Sequence, residues 1–298
     1  RSGSSVGIDD FEAAHAMTTH LLDLGHTRVA FICGNPDQTA SVCYEAAMGG
    51  VDFIKDDETL VNQGFCPLEE RVSKVMGALD RAKSETGRTV LFATNVTAAP
   101  DKMVRLAETA IDNGANTLML DIVILGFPTV EWFIKEYDFK VPIHMHRAMH
   151  AAFTRNPKHG ISMLPIAKMA RMLGGDQLHT GSGAGKMGSD EERKHELCAI
   201  LASLKEDWYG MKPVFPVASG GIHPGFVPAN YEFFGRDFVI NAGGGIHGHP
   251  GGTRAGAAAM MQAIDASVEG IPLAEYARTH KELAEALKKW GEKRLSED

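Results

Sequence analysis

The sequence predicts an α/β fold, arranged as a (β/α)8 barrel, on two observations. Eight short apolar runs alternate with amphipathic stretches, and polar residues collect just where the runs stop. The strand-like runs are Val29–Cys33, Val51–Ile54, Thr89–Thr94, Thr117–Ile122, Pro142–His146, Gln177–His179, Val214–Ala218 and Phe238–Ala242. Being apolar almost throughout, they suit a parallel sheet buried on both faces, and eight is the number that closes a barrel. Helical periodicity falls between them at Glu69–Ala82, Met103–Asn113, Leu164–Leu173, Glu191–Leu204 and Arg254–Asp265. A final helix is expected from Leu273 to Lys293, rich in Glu and Lys and packed outside. A front unit, Ser5–Asp10 followed by a helix from Phe11 to Leu24 that Gly25 ends, does not belong to the eightfold count.

Composition narrows the function classes. The 298 residues are 44% hydrophobic and 23% charged, enough for one large core. A formal net charge of −8 argues against a nucleic-acid binder held by phosphate contacts. No apolar run is long enough to cross a membrane. Four cysteines (Cys33, Cys43, Cys66, Cys198) lack C-x-x-C spacing, so neither a disulfide framework nor a zinc site is expected, and the cytoplasm is the default compartment. The opening R-S-G-S-S has no apolar signal region and reads as a cloning remnant.

In barrels of this kind the active site lies at the C-terminal ends of the strands. The second run ends in Lys55, Asp56, Asp57 and Glu58, an oxygen-rich cluster of the type that hard cations such as Mg2+ prefer. Taken alone, that cluster also reads as a solvated strand end. The third run leads into Asn95 and Thr97, the fifth into His144, His146, Arg147 and His150, and the sixth into His179. Ser219 to His223 follow the seventh run, and Gly243 to His249 follow the eighth. A lone histidine is more often structural, but polar groups at six of the eight strand ends surround one pocket. Gly220-Gly221 and Gly243-Gly244 would let backbone N–H groups approach an anion, although single glycine pairs often only mark turns. The stretch Thr180–Met187, T-G-S-G-A-G-K-M, fails as a nucleotide P-loop because Met187 replaces the Ser or Thr that Mg2+ requires. It reads instead as a loop carrying one cation, Lys186.

These motifs, in order, resemble the C-terminal TIM barrel of the ribulose-1,5-bisphosphate carboxylase/oxygenase (RuBisCO) large subunit, nearest to its archaeal branch. The resemblance runs from about Tyr44 to Ala266. It rests on G-G-V-D-F-I-K-D-D-E, H-M-H-R-A-M-H-A-A-F-T-R, G-G-D-Q-L-H-T-G-S-G-A-G-K, P-V-A-S-G-G-I-H-P-G and G-G-G-I-H-G-H-P-G-G. It implies that Lys55 is carbamylated by CO2 and that the carbamate, Asp57 and Glu58 ligate Mg2+. It makes His146 the proton-handling histidine, and Lys186 the loop lysine that closes over added CO2. Arg147, His179 and Ser219 would hold one phosphate of a bisphosphate sugar, and Gly221, Gly243 and Gly244 the other. The family also pairs as a dimer, so a homodimer is a candidate assembly.

The departures bear on activity. The family's first barrel strand carries a K-P-K segment, one lysine of which moves protons; here Arg28–Gly34 reads R-V-A-F-I-C-G. The family's N-terminal α+β domain is not recognised ahead of the barrel, and the glutamate expected soon after the loop lysine is replaced by Met187 and Gly188. The front, about Val6 to Val42, instead resembles LacI-type repressor cores, which have a periplasmic-binding-protein, flavodoxin-like fold. Residues 1–43 are therefore expected to be a LacI-like βα fragment replacing the first strand–helix region. Residues 44–298 would be the RuBisCO-type barrel, the whole being an engineered chimera; the competing reading is a divergent natural RuBisCO-like protein.

Two functions remain in view. One is a Mg2+-dependent RuBisCO-type enzyme that enolises or carboxylates a phosphorylated sugar, impaired by the missing first-strand lysine. The other is a non-catalytic chimera that keeps a phosphate-binding pocket. A sugar-responsive transcription regulator is set aside, because neither a DNA-recognition element nor a basic surface is present.

Overall fold

The computed structural model describes residues 34–156, 158–184 and 191–292. From Asn35 onward they belong to one compact unit. The expected strand Val29–Cys33, the front helix Phe11–Leu24, the LacI-like segment up to residue 33 and Lys186 lie outside the described residues.

Seven strands form one sheet in sequential order: β1 (Phe53–Lys55), β2 (Leu91–Asn95), β3 (Thr117–Asp121), β4 (Ile143–His146), β5 (Gln177–His179), β6 (Phe215–Ala218) and β7 (Val239–Ile240). Every neighbouring pair is parallel. Parallel pairing requires a crossover between strands, and helices supply it each time. These are the second to eighth runs expected from the sequence, found within a few residues of their expected bounds, and the result is a TIM-barrel-like α/β architecture. All five residues of β3 are buried, as a strand covered on both faces must be. Phe92, Leu118, Leu120, Met145 and Leu178 join one core with Val72, Val75 and Leu79 of the following helix layer.

Local chemistry sets the helix ends. Helix α1 (Pro36–Met48) opens with a reciprocal capping box between Asn35 and Gln38, with proline in its first turn. It runs unbroken through the expected 43/44 junction. Helix α2 (Leu68–Thr86) buries Leu68, Val72, Val75 and Leu79, one stripe at helical spacing, and stops at Gly87 in the left-handed conformation.

The last helix departs from expectation. In place of one element from Leu273 to Lys293 there are two, Leu273–Tyr276 and Lys281–Trp290. His280 Nδ1 lies 2.8 Å from the Tyr276 carbonyl and 3.1 Å from Thr279 Oγ1. Side chains that bond the local backbone in this way offer it an alternative to the helix. The break lets Lys281–Trp290 dock by itself: Gln262 accepts from the Leu283 N–H at 3.0 Å and donates to Glu282 at 2.9 Å.

Candidate functional site at the strand C-termini

The charges after β1 separate into different environments. Asp56 turns beneath the sheet rim and is buried. Its Oδ2 accepts from Arg71 Nε (3.2 Å) and Nη2 (3.0 Å), Thr94 Oγ1 (2.8 Å) and the Asn95 N–H (3.1 Å). Burial pushes the Asp56 carboxyl up from its ordinary pKa, and Arg71, the Asn95 N–H and Thr94 pull it back. Arg71 also donates to the carbonyls of Cys66 (2.8 Å) and Val61 (2.7 Å), fastening the loop between β1 and α2. Asp57 Oδ1 is occupied by the Thr59 N–H at 2.9 Å and the Thr59 hydroxyl at 2.5 Å.

Lys55 and Glu58 stay at the rim. Lys55 Nζ donates to the Asp56 carbonyl at 2.8 Å and lies 3.5 Å from Glu58 Oε2. That same oxygen is 3.7 Å from His146 Nε2, whose ring places Nδ1 2.9 Å from Asp121 Oδ1. Asn95 Nδ2 donates to the Glu58 carbonyl at 3.1 Å and approaches Asp121 Oδ2 at 3.5 Å. The ends of β1 to β4 are thus linked side chain to side chain. Asp121, fully buried at the end of β3, is a member that the sequence reading did not single out. The available signal was a carboxylate closing the apolar run T-L-M-L-D.

Alternation along β4 puts His144 and His146 on one face, beside His179 of the neighbouring strand. His144 Nε2 and His179 Nε2 are 2.9 Å apart, and the His146 and His179 rings meet edge-on at 4.4 Å. His144 Nδ1 faces Gln177 Oε1 at 2.7 Å; His179 Nδ1 faces Ser219 Oγ at 3.2 Å. Burial, helped by Lys55 and His146, brings His144 down to about 3 despite the Gln177 bond. Burial and the neighbouring His144, His146, Lys55 and Arg147 hold His179 well below its ordinary value. Both rings are neutral around pH 7.

Arg147 crosses toward the loop after β5. A Cβ on Gly181 would lie 2.9 Å from Arg147 Nη2, and Gly181 has φ +96°, so only glycine suits that position. Burial lowers Arg147 to about 10 against the pull of Glu196, leaving it a cation at neutral pH. Gly220 and Gly221 follow β6 with φ of +116° and +72°. Gly243 and Gly244 begin the short helix Gly243–His247, and nothing lies within 4 Å of where their Cβ atoms would stand. That leaves open space beside two backbone N–H groups.

Of the residues singled out from the sequence, Lys55, Glu58 and His146 are brought together, and His179 and Ser219 adjoin them. The glycines line the ends of β6 and β7. Among the described residues no ready-made group of three His, Cys, Asp or Glu ligands is assembled. The donor types nevertheless fit a hard cation, with the carboxylates of Asp57 and Glu58 close in sequence to the Lys55 amine. Three ligands would require the amine to become anionic; Asp57 can offer Oδ2 while Oδ1 stays bonded to Thr59.

Comparison with known proteins is decisive. The family model for the ribulose bisphosphate carboxylase large chain, catalytic domain, matches residues 32–290. The chain belongs to this family. It is 47% identical over 257 residues to the ribulose bisphosphate carboxylase of Pyrococcus abyssi, covering 86% of this chain and 60% of that protein. For the Methanocaldococcus jannaschii enzyme the identity is 48% over 265 residues, covering 85% and 62%. Among solved structures, the octameric RuBisCO of Pyrococcus horikoshii superposes with a TM-score of 0.82 at 43% identity, covering 89% of this chain and 63% of that one. A RuBisCO-like protein from Alicyclobacillus acidocaldarius gives 0.81 at 35% identity, covering 88% and 65%. The chain spans about three fifths of the length of the curated relatives it matches. Among the described residues no helix is long and apolar enough to cross a membrane.

Proposed function

We propose that the barrel acts on a phosphorylated sugar by RuBisCO-type enolisation and carboxylation, with weak turnover. The carrying observation is the linked set Lys55–Glu58–His146–Asp121 at the mouth of four adjacent strands, facing His179. In this reading Lys55 takes up CO2 as a carbamate, and Asp57 and Glu58 complete the donors for Mg2+. The cation would supply electrostatic stabilisation of developing negative charge on the sugar. Asp121 holds His146 at Nδ1, leaving Nε2, 3.7 Å from Glu58 Oε2, as the position that can accept and return a proton. Arg147 provides the fixed charge for one phosphate beside His179 and Ser219. Gly221, Gly243 and Gly244 offer room and N–H groups for the other. The P. horikoshii enzyme has also been solved in complex with sulfate ion, an oxyanion of phosphate's shape. Lys186 would approach the added CO2.

Weak turnover is proposed because Arg28–Gly34 carries no lysine where the family moves a proton. Bisphosphate-dependent incorporation of labelled CO2 with Mg2+ tests the reading. Turnover above background supports the enzyme; none, with phosphate still bound, leaves the non-catalytic pocket. Cys33→Lys should raise turnover, and no change would remove the missing-base explanation.

The LacI-like origin of residues 1–43 is proposed from the sequence pattern alone, with the junction inside Pro36–Met48. A chain beginning at Asn35 should then lose cooperative unfolding, whereas unchanged melting would count against a barrel completed by that fragment. A homodimer is proposed by likeness to the dimeric archaeal RuBisCO of Hyperthermus butylicus, which superposes with a TM-score of 0.80; sedimentation measures it.

A further inference from the structure

We propose that His144 is a positioning residue, which fixes the tautomer of His179 and through it the direction of the Ser219 hydroxyl. Four side chains form one line: Gln177 Oε1, His144, His179 and Ser219 Oγ, at successive separations of 2.7, 2.9 and 3.2 Å. An amide oxygen can only accept, so His144 carries its hydrogen on Nδ1. With both rings neutral, His144 Nε2 is then an acceptor, and the hydrogen shared between the rings belongs to His179 Nε2. His179 Nδ1 is left as an acceptor and takes the Ser219 hydroxyl hydrogen. The two histidines therefore hold opposite tautomers, and Ser219 directs its O–H inward rather than toward a ligand. His144 and His179 are 1% and 2% exposed, so water does not rescue an unmatched N–H.

The consequence runs against ordinary expectation for a core substitution. In His144→Phe, keeping the Nε2–H tautomer would bury a donor without a partner. Moving the hydrogen to Nδ1 instead lets His179 donate to Ser219 Oγ and leaves only an unfilled acceptor, the smaller penalty. The Ser219 hydroxyl then turns outward as a donor. An anion held by Arg147 beside it gains a hydrogen bond, so affinity for inorganic phosphate rises about five-fold. His144→Gln keeps an acceptor facing His179 and leaves the tautomer as in the parent chain. The phosphate effect rests on the proposed phosphate corner; the tautomer pattern does not.

Long-range proton–nitrogen NMR on the full chain at about pH 7 reads the ring nitrogens directly. The expected result is His144 protonated at Nδ1 and His179 at Nε2 in the parent, the His179 hydrogen moved to Nδ1 in His144→Phe, and no change in His144→Gln. Equal tautomers in the parent chain, or a charged ring in either position, would overturn the proposal even if His144→Phe does not fold. So would a His144→Phe protein whose His179 hydrogen stays on Nε2. Phosphate titration separates the two ideas. If the tautomers follow this pattern but phosphate binds neither protein, the relay stands and the phosphate corner of the proposed function falls.

Discussion

Arg71 and Asp56 meet beneath the rim with Nη2 and Oδ2 3.0 Å apart, both side chains essentially without solvent exposure. The pair lies directly under the strand end that presents Lys55. Four donors converge on one carboxylate oxygen, which makes this charge among the best satisfied in the barrel. Removing one partner leaves the other charge buried and uncompensated. Arg71→Met should therefore cost about 3–5 kcal/mol in urea unfolding. Arg71→Met combined with Asp56→Leu should recover much of the loss; a double variant as unstable as the sum of the singles would show that the pair is not the cause.

Acid sensitivity follows from His144. Its pKa falls from 6.5 in the unfolded chain to about 3 in the fold, chiefly through burial. Between those values the unfolded chain binds the extra proton and the native chain does not. Stability should accordingly decline as pH falls from 6.5 toward 3 and be insensitive to this group above that window. The contribution is on the order of a few kcal/mol. Chemical unfolding across the range should show a shallower acid slope in His144→Gln than in the parent, and identical slopes would assign the loss to other groups.

Gly181 is expected to control Arg147. An alanine there must adopt a left-handed backbone and displace a guanidinium nitrogen at 2.9 Å. Gly181→Ala should cost about 1–3 kcal/mol of stability and weaken phosphate binding by about ten-fold. Calorimetry with inorganic phosphate measures it, and unchanged affinity would remove Arg147 from the anion site.

Lys55→Met should abolish retention of labelled CO2 by the protein in the presence of Mg2+, while leaving the fold intact. Methionine keeps the packing of the lysine stem, which is 12% exposed, and gives up the 2.8 Å bond to the Asp56 carbonyl and the 3.5 Å approach to Glu58, a loss of about 1–2 kcal/mol. Retention that survives the substitution would place CO2 uptake elsewhere.

Much of this molecule was legible as pattern. All seven runs that fall within the described residues form parallel strands, because mostly apolar stretches of three to six residues leave few alternatives to burial on both faces. Their polar ends share a rim because parallel strands carry their C-termini in one direction. The C-terminal element was misread as one helix, since Glu and Lys spacing does not reveal that His280 and Thr279 compete for the backbone.

From sequence alone, the run K-D-D-E could be recognised as a chemical cluster and, with four further motifs, as a family signature. Its internal division was not there to be read. Neighbours in sequence differ in environment according to what the fold brings beneath them: Arg71, fifteen residues on, takes Asp56 into the interior. His146, from another strand, approaches Glu58, and Asp121, from a third, holds the far side of that ring. Periodicity reports which face a residue occupies, whereas the partner that satisfies its charge comes from a distant segment, and only tertiary structure supplies it.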